Sequence, residues 1–347
     1  MGVPGIKINI SDFLSKAEKI PVIDVRSPEE FNYGHIPGAV NIPLFDDAER
    51  AIVGTIYKNL GRQKAILKGL EISGISMESK LKSALAVAGE GKLLVHCWRG
   101  GMRSEAMAWL FSLGDIETEI LDGGYKSYRN HILEKLSDKY KYIILGGLTG
   151  SGKTEMLRYL KNKGQQVIDL EGIANHRGSA FGSLGQEMQP TSEHFANLLY
   201  NELIRMDPGK PIWLEDESKN IGTVFMPDGF YENMQISPVI AVMMEMKNRV
   251  PRLLREYASY PVDELKGPVM KISKRLGGVK TSECLKSIDS GDLRKAVEIT
   301  LEYYDKSYLH GLKRRSGMNI RYFTPESENV EENATYVLEL CYELMKP

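Results

Sequence analysis

The chain has 347 residues, 42% of them hydrophobic and 26% charged, with a formal net charge of −1. This composition is typical of a globular protein of about two domains, and the lack of any run of about 18 apolar residues argues against a membrane-spanning helix. A chain so close to neutral would need a local basic patch to bind a nucleic acid.

The cysteine content excludes further classes of protein. Cys97, Cys284 and Cys341 lie far apart and form no C-x-x-C pair, so we expect neither a zinc knuckle nor a disulfide framework. Cys284 and Cys341 fall in helical patterns and are expected to pack in the core. The N-terminal stretch MGVPGIKINI lacks the apolar core of a signal peptide, so we expect a cytoplasmic protein.

The first segment of the chain predicts short elements followed by a buried strand. Ile6 to Ile10 favours a strand and Asp12 to Lys19 a helix, while Val22 to Val25 is apolar enough for a buried strand. Ser27 stands directly before Pro28, a combination typical of the first residues of a helix.

A basic stretch lies between Phe45 and Gly91, a region rich in helix-forming residues. Its positive charges are Lys58, Arg62, Lys64 and Lys68. Charges of this kind usually form the solvated face of a helix, but they also suit contact with the phosphates of a nucleic acid. Lys58 to Lys68 is therefore a secondary candidate for a polyanion contact.

The stretch Leu93 to Ser104, LLVHCWRGGMRS, predicts a reactive cysteine. Its apolar start favours a buried strand and the run from Met102 favours a helix, so Cys97 lies where a strand turns into a helix. The backbone N–H groups of such a turn, together with the helix N-terminus, favour an anion. We therefore expect the thiol to ionise readily, in contrast to an ordinary core cysteine.

The residues that follow Cys97 strengthen this prediction. Gly100 and Gly101 allow the turn to close tightly, and Arg99 and Arg103 bring full positive charges within reach of the sulfur. A sulfur, selenium or oxyanion group carried on Cys97 would be stabilised by the same surroundings. Cys97, Arg99 and Arg103 are the candidate catalytic residues, and the two glycines are candidates for ligand binding.

Three segments of this half of the chain resemble the rhodanese superfamily. The run from Asp24 to Pro43, DVRSPEEFNYGHIPGAVNIP, looks like the upstream signature of that superfamily. Leu94 to Ser104 falls where the superfamily carries its active-site cysteine loop, and Asp122 to Arg129 matches the segment that closes the domain. The resemblance implies a rhodanese-like fold with Cys97 as its active-site cysteine.

The cysteine loop also fits a phosphatase pattern. His96 to Ser104 matches the tyrosine-phosphatase signature H-C-x-x-G-x-x-R-S, and some phosphatases share the rhodanese fold. The upstream segments belong to rhodaneses, however, and Trp98 and Arg99 would crowd a phosphate loop. The rhodanese interpretation is favoured, and the phosphatase remains an alternative.

A phosphate-binding loop begins the second half of the chain. Tyr142 to Leu145 favours an apolar strand, Gly147 to Thr154 reads GLTGSGKT, and a helical run follows it. This is the G-x-x-x-x-G-K-[ST] pattern in its required context of strand, loop and helix. Backbone N–H groups of the loop would hold a diphosphate, with Lys153 on the terminal phosphate and Thr154 able to hold Mg²⁺. The glycines of the loop are Gly147, Gly150 and Gly152.

Acidic residues follow a later apolar strand. Pro211 to Ser218 reads PIWLEDES, and Glu215 and Asp216 stand where a ligand for a metal ion or its water is expected. We name both acids as candidates for ligand binding, and Thr154 with Asp216 as the candidate magnesium ligands.

The strongest local charge lies from Lys247 to Lys280. Nine basic residues face three acidic ones there, a local net of +6. Such a run is usually solvated surface, but in a near-neutral chain it is the main candidate for a polyanion-binding patch.

The alternation of strands and helices predicts an α/β protein with two domains. We expect a rhodanese-like domain over residues 1–137 and a P-loop NTPase-like α/β domain with a helical C-terminal part over 138–347.

Taken together, four motifs resemble the family of tRNA 2-selenouridine synthases. They are HCWRGGMRS, GLTGSGKTE, DLEGIANHRGSAFG and WLEDESKNIG. The resemblance implies exchange of sulfur for selenium in wobble 2-thiouridine of the tRNAs for lysine, glutamate and glutamine. It also implies selenophosphate as selenium donor and an S-geranyl intermediate made from geranyl diphosphate. The two basic stretches, Lys247 to Lys280 and Lys58 to Lys68, would then be tRNA contacts near the anticodon.

The P-loop itself leaves its ligand open, because it recognises a diphosphate and not the group attached to it. For a geranyl chain we expect an apolar groove, and the candidates to line it are Phe181, Leu184, Met188, Phe225 and Met226. The alternatives are an ATP-dependent kinase or ATPase fused to a sulfur carrier, and a noncatalytic RNA-binding protein. Whether Cys97 carries a perselenide or only helps to bind selenophosphate is also left open.

Overall fold

The computed structural model describes residues 5–315 and 319–345. The chain divides into two compact units, each described here by itself. The first runs to Lys135 and includes Ala196–Tyr200, and the second comprises Leu136–Phe195 and the chain from Asn201 onward. The sequence places the boundary two residues later, and nothing local in the sequence marks Ala196–Tyr200 as part of the first unit.

The first unit is built on a parallel sheet of five strands. The strands are β1 (Ile6–Ile8), β2 (Val22–Asp24), β3 (Val40–Asn41), β4 (Lys92–His96) and β5 (Glu117–Leu121). The helices are α1 (Ile10–Ala17), α2 (Pro28–Tyr33), α3 (Asp47–Leu60), α4 (Arg62–Gly74), α5 (Met77–Val87), α6 (Met102–Ser112) and α7 (Gly124–Leu136). The strand order is β1-β5-β4-β2-β3, which places β4 at the centre of the sheet.

The central position of β4 explains its composition. Leu93, Leu94 and Val95 are all buried, as expected for a parallel strand with both faces covered. Strand β4 ends at His96, so Cys97 follows at the carboxyl edge of the sheet and α6 begins five residues later. The sheet, with α5 and α6 packed on it, therefore fixes both ends of the cysteine loop.

The second unit contains a five-stranded parallel sheet and a set of packed helices. Its strands are β6 (Tyr142–Gly147), β7 (Gln166–Ile168), β8 (Ile212–Glu215), β9 (Asn220–Ile221), β10 (Val224–Phe225), β11 (Val239–Val242) and β12 (Ile320–Phe323). Its helices are α8 (Lys153–Asn162), α9 (Leu170–Ala174), α10 (Ser192–Leu203), α11 (Asp228–Gln235), α12 (Met246–Tyr257), α13 (Val262–Leu276), α14 (Gly278–Asp289), α15 (Leu293–Arg314) and α16 (Val330–Leu344). Within α10, Ala196–Tyr200 is the segment that belongs to the first unit.

Strand order in this sheet is β12-β11-β6-β8-β7, with β9 and β10 forming a separate antiparallel pair. Helices α8 and α16 pack on the sheet, whereas α13, α14 and α15 form a core of their own. The expected fold class, a rhodanese-like domain followed by a P-loop α/β domain with a helical C-terminal part, is confirmed. None of the helices in the described residues is long and apolar enough to span a membrane.

Candidate active-site loops

Cys97 lies at the base of its loop, almost completely covered. The residue is 4% exposed and packs with the core of the first unit. Its sulfur lies 3.4 Å from the Ser104 hydroxyl oxygen, which is itself 2.9 Å from the Gly101 carbonyl oxygen. The single hydroxyl proton of Ser104 can therefore turn to the sulfur once the thiol ionises.

The surroundings of Cys97 favour its thiolate. Burial by itself raises the pKa of the thiol, but the Ser104 hydroxyl, the Arg103 charge and the backbone N–H groups of Arg99 and Ser104 together hold that pKa below its usual value of 9.0. Cys97 is thus buried in the core, and its polar neighbours nevertheless make its thiol easier to ionise than an ordinary cysteine.

The two glycines of this loop are not equivalent. Gly100 has φ +61, and a Cβ atom there would lie 2.2 Å from the Leu121 carbonyl oxygen, so no other residue fits without movement of backbone. Gly101 has φ −109, and nothing lies within 4 Å of a Cβ at that position. The backbone therefore requires glycine at position 100, whereas position 101 has room for a side chain.

The two candidate arginines also differ in their surroundings. Arg103 forms a fork with Glu30, with 2.6 Å between Nη1 and Oε2, and Glu30 is also the residue that completes the capping box of α2. Arg99 is exposed. Arg62, from the basic stretch Lys58 to Lys68, reaches the same end of α6, because its Nη2 lies 3.4 Å from the Met102 sulfur. Arg103 is therefore held in place, whereas Arg99 is open to solvent.

A buried ion pair is linked to the cysteine loop through Tyr125. Arg26 donates from Nε and Nη2 to Asp24 and lies over the Tyr125 ring at 3.7 Å. The backbone N–H of Tyr125 in turn donates to the Cys97 carbonyl oxygen at 2.8 Å. Burial lowers the pKa of His96 and so favours the neutral imidazole, although the nearby Asp24 carboxylate acts in the opposite direction. The D-V-R motif thus supports the loop indirectly, through Tyr125.

The P-loop joins β6 to α8, as the sequence predicts. Gly147 has φ +141, and a Cβ there would lie 2.4 Å from the Val242 carbonyl oxygen of the neighbouring strand β11. Gly150 and Gly152 also have positive φ. Lys153 donates from Nζ to the carbonyl oxygens of Gly147 at 3.0 Å and Leu148 at 3.3 Å. The lysine therefore lies folded along the loop, at the place where a terminal phosphate is expected.

Thr154 contacts two carboxylates, and neither belongs to Asp216. Its Oγ1 lies 3.0 Å from Oε1 of Glu215 and 3.4 Å from Oε2 of Glu171. Asp216 instead pairs with Arg315, with 2.9 Å between Oδ1 and Nη2. Thr154 therefore contacts Glu215 directly, and the assignment of Thr154 and Asp216 as magnesium ligands stays a prediction.

The acids around Thr154 hold more negative charge than the fold neutralises. Burial, together with the carboxylates of Glu171 and Asp169, raises the pKa of Glu215 to about 8. Burial, together with the carboxylates of Glu171 and Glu215, raises the pKa of Glu217 well above its usual value. Within residues 5–315 and 319–345, no three His, Cys, Asp or Glu side chains are arranged to hold a metal. Mg²⁺ at such loops takes few protein ligands and keeps several waters, so a hydroxyl with one or two carboxylates fits it.

A cavity opens in front of the P-loop. It is lined by the loop glycines, Lys153, Thr154 and Asp216, together with several arginines. These arginines are Arg158, Arg177, Arg252 and Arg315. Arg252 pairs with Glu155 and Arg315 with Asp216, so the positive charge is held in fixed positions around the mouth. An anion at the loop would meet Lys153 and these guanidinium groups.

The apolar residues proposed to line a groove differ in burial and packing. Met188 is 90% exposed and Phe225 is 54% exposed, while Met226 is buried in the core. Phe181 and Leu184 do pack against the helical core of α13, α14 and α15. Phe181 also lines an apolar cavity of this unit, whereas the groove stays a prediction for the other four residues.

Sequence reasoning missed several residues that the structure places at these loops. They are Glu30, Ser104, Glu171, Arg252 and Arg315. For Glu171 a signal exists, because it follows β7 just as Glu215 ends β8, and the carboxyl ends of parallel strands meet at one edge of a sheet. Glu30, Arg252 and Arg315 contact their partners across long sequence separations, which no local pattern reveals. Ser104 lies only seven residues after Cys97, within the same motif.

The fold and these loops define a protein that joins a rhodanese-like cysteine loop to a P-loop. Family models agree with this architecture. A rhodanese-like domain matches residues 10–131, and the tRNA 2-selenouridine synthase AAA domain matches residues 140–338.

Full-length relatives lead to the same family. A tRNA 2-selenouridine synthase from Bdellovibrio bacteriovorus is 35% identical over 86% of this chain and 90% of its own length. One from Nitrosomonas europaea is 32% identical over 85% of this chain and 90% of its own length, and one from a Sulfurovum species is 35% identical over 88% and 93%. The chain belongs to the tRNA 2-selenouridine synthase family.

Proposed function

We propose that this protein replaces sulfur by selenium in wobble 2-thiouridine of the tRNAs for lysine, glutamate and glutamine. Selenophosphate is the selenium donor, and S-geranyl-2-thiouridine, made from geranyl diphosphate, is the intermediate. Family membership supports a tRNA-modifying enzyme. The observation that carries the proposal is the presence, in one chain, of a thiol at Cys97 whose pKa is lowered by Ser104, Arg103 and backbone N–H groups, and of a P-loop with Lys153.

Alkylation solves the leaving-group problem of this exchange. A thiocarbonyl sulfur leaves carbon 2 of the uracil ring poorly, whereas the geranylated sulfur leaves as a thiolate. In the first step the sulfur bonds to the first carbon of the geranyl group, the C–O bond breaks, and diphosphate departs. Dividing one difficult substitution into two easier ones is the usual gain of covalent activation.

The P-loop is the group that fits the first step. The diphosphate gains negative charge as it leaves, and Lys153, the loop N–H groups and the arginines of the cavity neutralise that charge. Mg²⁺ held by Thr154 with Glu215 would supply further positive charge to the leaving group. The raised pKa of Glu215 supports a cation there, because a cation would relieve the repulsion among the buried carboxylates.

The cysteine loop is the group that fits the second step. Selenium from selenophosphate bonds to carbon 2, and the geranylthiolate departs with the electron pair of the C–S bond. Water then attacks the phosphorus atom, the Se–P bond breaks, and phosphate is released while selenium stays on carbon 2. The N–H groups and Arg103 around Cys97 stabilise an anion, as selenophosphate bound beside the sulfur would be; a perselenide carried on Cys97 would need a two-electron oxidant in addition.

The experiment is mass spectrometry of nucleosides from thiolated tRNA incubated with the protein, geranyl diphosphate and selenophosphate. We expect S-geranyl-2-thiouridine when selenophosphate is omitted and 2-selenouridine when both are present. No modified nucleoside in either reaction would reject the proposal. 2-Selenouridine formed equally well without geranyl diphosphate would reject the alkylation step.

Two variants separate the half-reactions. Cys97→Ala should abolish selenation and leave geranylation largely intact, whereas Lys153→Ala should abolish geranylation. Cys341→Ala and Lys161→Ala are matched controls, because Cys341 is a buried core thiol and Lys161 is an exposed residue of the P-loop helix. Loss of both activities in Cys97→Ala would assign them to one shared site.

A further inference from the structure

A second cavity of the P-loop unit is almost entirely apolar and adjoins the phosphate cavity. The two cavities share wall residues, namely Thr149, Ser179, Leu253, Tyr257 and Tyr304. Thr149 belongs to the P-loop itself, so the apolar space begins where the loop holds its ligand. Its remaining walls come mainly from α12, α13, α14 and α15.

The far part of this cavity lies within the helical core of the unit. Leu265, Val269, Cys284, Ile288 and Ala296 line it and are all at most 5% exposed. These residues belong to one cluster of buried side chains, whereas Leu253 and Leu301 belong to a neighbouring cluster. The cavity therefore lies between two apolar cores, with its polar end at the P-loop.

The polar atoms on the deep wall already have hydrogen-bond partners within the helices. Cys284 contacts the Ala296 carbonyl oxygen through its sulfur at 3.7 Å, and the Thr300 hydroxyl lies 3.1 Å from the same oxygen and 2.9 Å from that of Val297. Nearer the mouth, the Tyr304 hydroxyl accepts the Ala180 N–H at 3.0 Å. A nucleoside base needs hydrogen-bond partners for its edges, whereas a hydrocarbon chain needs none.

We propose that this apolar cavity holds the prenyl chain of the diphosphate bound at the P-loop, and that Val269, Ile288 and Ala296 set the chain length it accepts. The proposal rests on the prenyl diphosphate step of the proposed function and adds the site of the hydrocarbon. The phosphate cavity fixes one end of the ligand, and the deep wall limits how far the other end reaches. Chain length is then selected by apolar fit, where a single methylene changes discrimination by about tenfold or more.

The test measures binding of dimethylallyl, geranyl and farnesyl diphosphates, with inorganic diphosphate as reference, by calorimetry on the full-length protein. Val269→Ala with Ile288→Ala removes side chain from the deep wall and should shift preference toward farnesyl diphosphate by about tenfold or more. Ala296→Leu fills the cavity and should shift preference toward dimethylallyl diphosphate. Because one change lengthens and the other shortens the preferred chain, simple loss of folding cannot imitate the pair.

The control variant is Ile272→Ala. Ile272 is buried in the same cluster, at 7% exposure, but does not line the cavity. Its loss should lower stability as Ile288→Ala does while leaving the order of preference among the three prenyl diphosphates unchanged. If Ile272→Ala changes that order as strongly as the cavity variants do, the assignment of the cavity is wrong.

The two ideas fail in different ways. If the unaltered protein binds geranyl diphosphate no better than inorganic diphosphate, the prenyl step of the proposed function is rejected, and so is the assignment of the cavity to the prenyl chain. If it binds geranyl diphosphate more tightly, loses that binding in Lys153→Ala, but keeps its chain-length order in both cavity variants, the proposed function stands and the cavity assignment is overturned.

Discussion

The three cysteines are all buried, yet their surroundings move their thiol pKa values in opposite directions. Burial raises the pKa of Cys284 and of Cys341 to about 11. At Cys97 burial acts in the same sense, but the Ser104 hydroxyl and the Arg103 charge outweigh it and the pKa falls. Exposure alone therefore does not identify the reactive thiol, whereas the polar groups around the sulfur do.

These differences predict selective alkylation. In native protein treated with iodoacetamide across a pH series, Cys97 should react with a midpoint below 9, whereas Cys284 and Cys341 should stay unmodified over the same range. Peptide mass spectrometry reads all three sites in one sample. A Cys97 midpoint at or above 9 would contradict the proposed stabilisation of its thiolate.

A pair of serines on α6 provides the control for this profile. Ser104→Ala removes the hydroxyl beside the Cys97 sulfur and should move the Cys97 profile to higher pH. Ser112→Ala also removes a hydroxyl that bonds a carbonyl oxygen three residues earlier, on the same helix, and should leave the profile in place. Equal shifts in the two variants would point to a general loosening of α6.

Glu215 predicts a pH dependence of stability. Its folded pKa of about 8 exceeds its ordinary 4.5, so between those values the folded state keeps a proton that the unfolded state has lost. Stability therefore falls as pH rises through that window, and the full cost is present above pH 8. Glu215→Gln keeps an acceptor for Thr154 without the charge and should be more stable than the parent at pH 8 by on the order of a few kcal/mol.

Thermal unfolding at pH 5 and pH 8 without added metal measures this effect. The gain from Glu215→Gln should be much smaller at pH 5, since the parent Glu215 is mostly protonated there in the folded state. Glu187→Gln, at an exposed position, should change stability little at either pH. A gain of equal size at both pH values would mean that the charge of Glu215 is not its origin.

At the scale of elements, the geometry of the cysteine loop predicts that its two glycines differ in how much their replacement lowers stability. Gly100→Ala forces a Cβ toward the Leu121 carbonyl oxygen and places alanine at φ +61, so it should lower the free energy of unfolding by at least about 1–2 kcal/mol. Gly101→Ala has room and an ordinary φ, so it should be near neutral. Urea unfolding compares the two, and similar losses in both would disprove the asymmetry.

The elements that sequence reasoning located well are those with strong local signals. Strand β4 and the P-loop strand β6 are apolar runs followed by glycine and a helix, so periodicity and turn residues suffice. Strand β12 lies in a region that the sequence predicts to be helical. It has only four residues, Ile320–Phe323, two of them exposed, and its pairing with β11 is made across a long sequence separation.

Long-range pairing also decides which side chains meet at the sites. The loop residues Cys97, Lys153 and Thr154 could be found because each motif is contiguous. Which acid contacts Thr154 depends on the register of β8 against β6, in which Leu145 lies opposite Glu215. A shift of one residue would turn Asp216 toward the other face, and the sequence holds no local sign of that register.

At the scale of the whole molecule, the charge of the stretch Lys247 to Lys280 is smaller than its count suggests. Arg249 is 2% exposed and forms a fork with Asp305, and several other basic residues of the stretch pair with acids elsewhere in the chain. These others include Arg252, Arg255, Lys266 and Lys280. Among the described residues, Lys271, Lys274 and Arg275 are exposed and have no ion pair, so they are the part of the stretch left for a polyanion.

These three residues define the test of the tRNA surface. Reversing Lys271, Lys274 and Arg275 to Glu should weaken tRNA binding and reduce its salt dependence by a slope of about two to three, with unchanged affinity for geranyl diphosphate. Filter binding over a salt series measures both quantities. The control reverses Lys82, Lys139 and Lys210, which are also exposed, and makes the same change in net charge. Equal effects in the two triple variants would mean that the stretch Lys247 to Lys280 is ordinary solvated surface and not a tRNA contact.

The packing of α16 on α8 has a consequence for synthesis on the ribosome. Ala334, Val337 and Cys341 cover Met156, Leu157 and Leu160 of the P-loop helix, and β12 lies beside β11. A nascent chain therefore carries the complete phosphate motif long before the apolar face of α8 is covered. We expect a chain stopped after residue 328 to be cleaved by protease within α8, whereas a chain that includes α16 should be protected there. Until α16 has been made, the uncovered apolar face of α8 is a surface that a chaperone can bind.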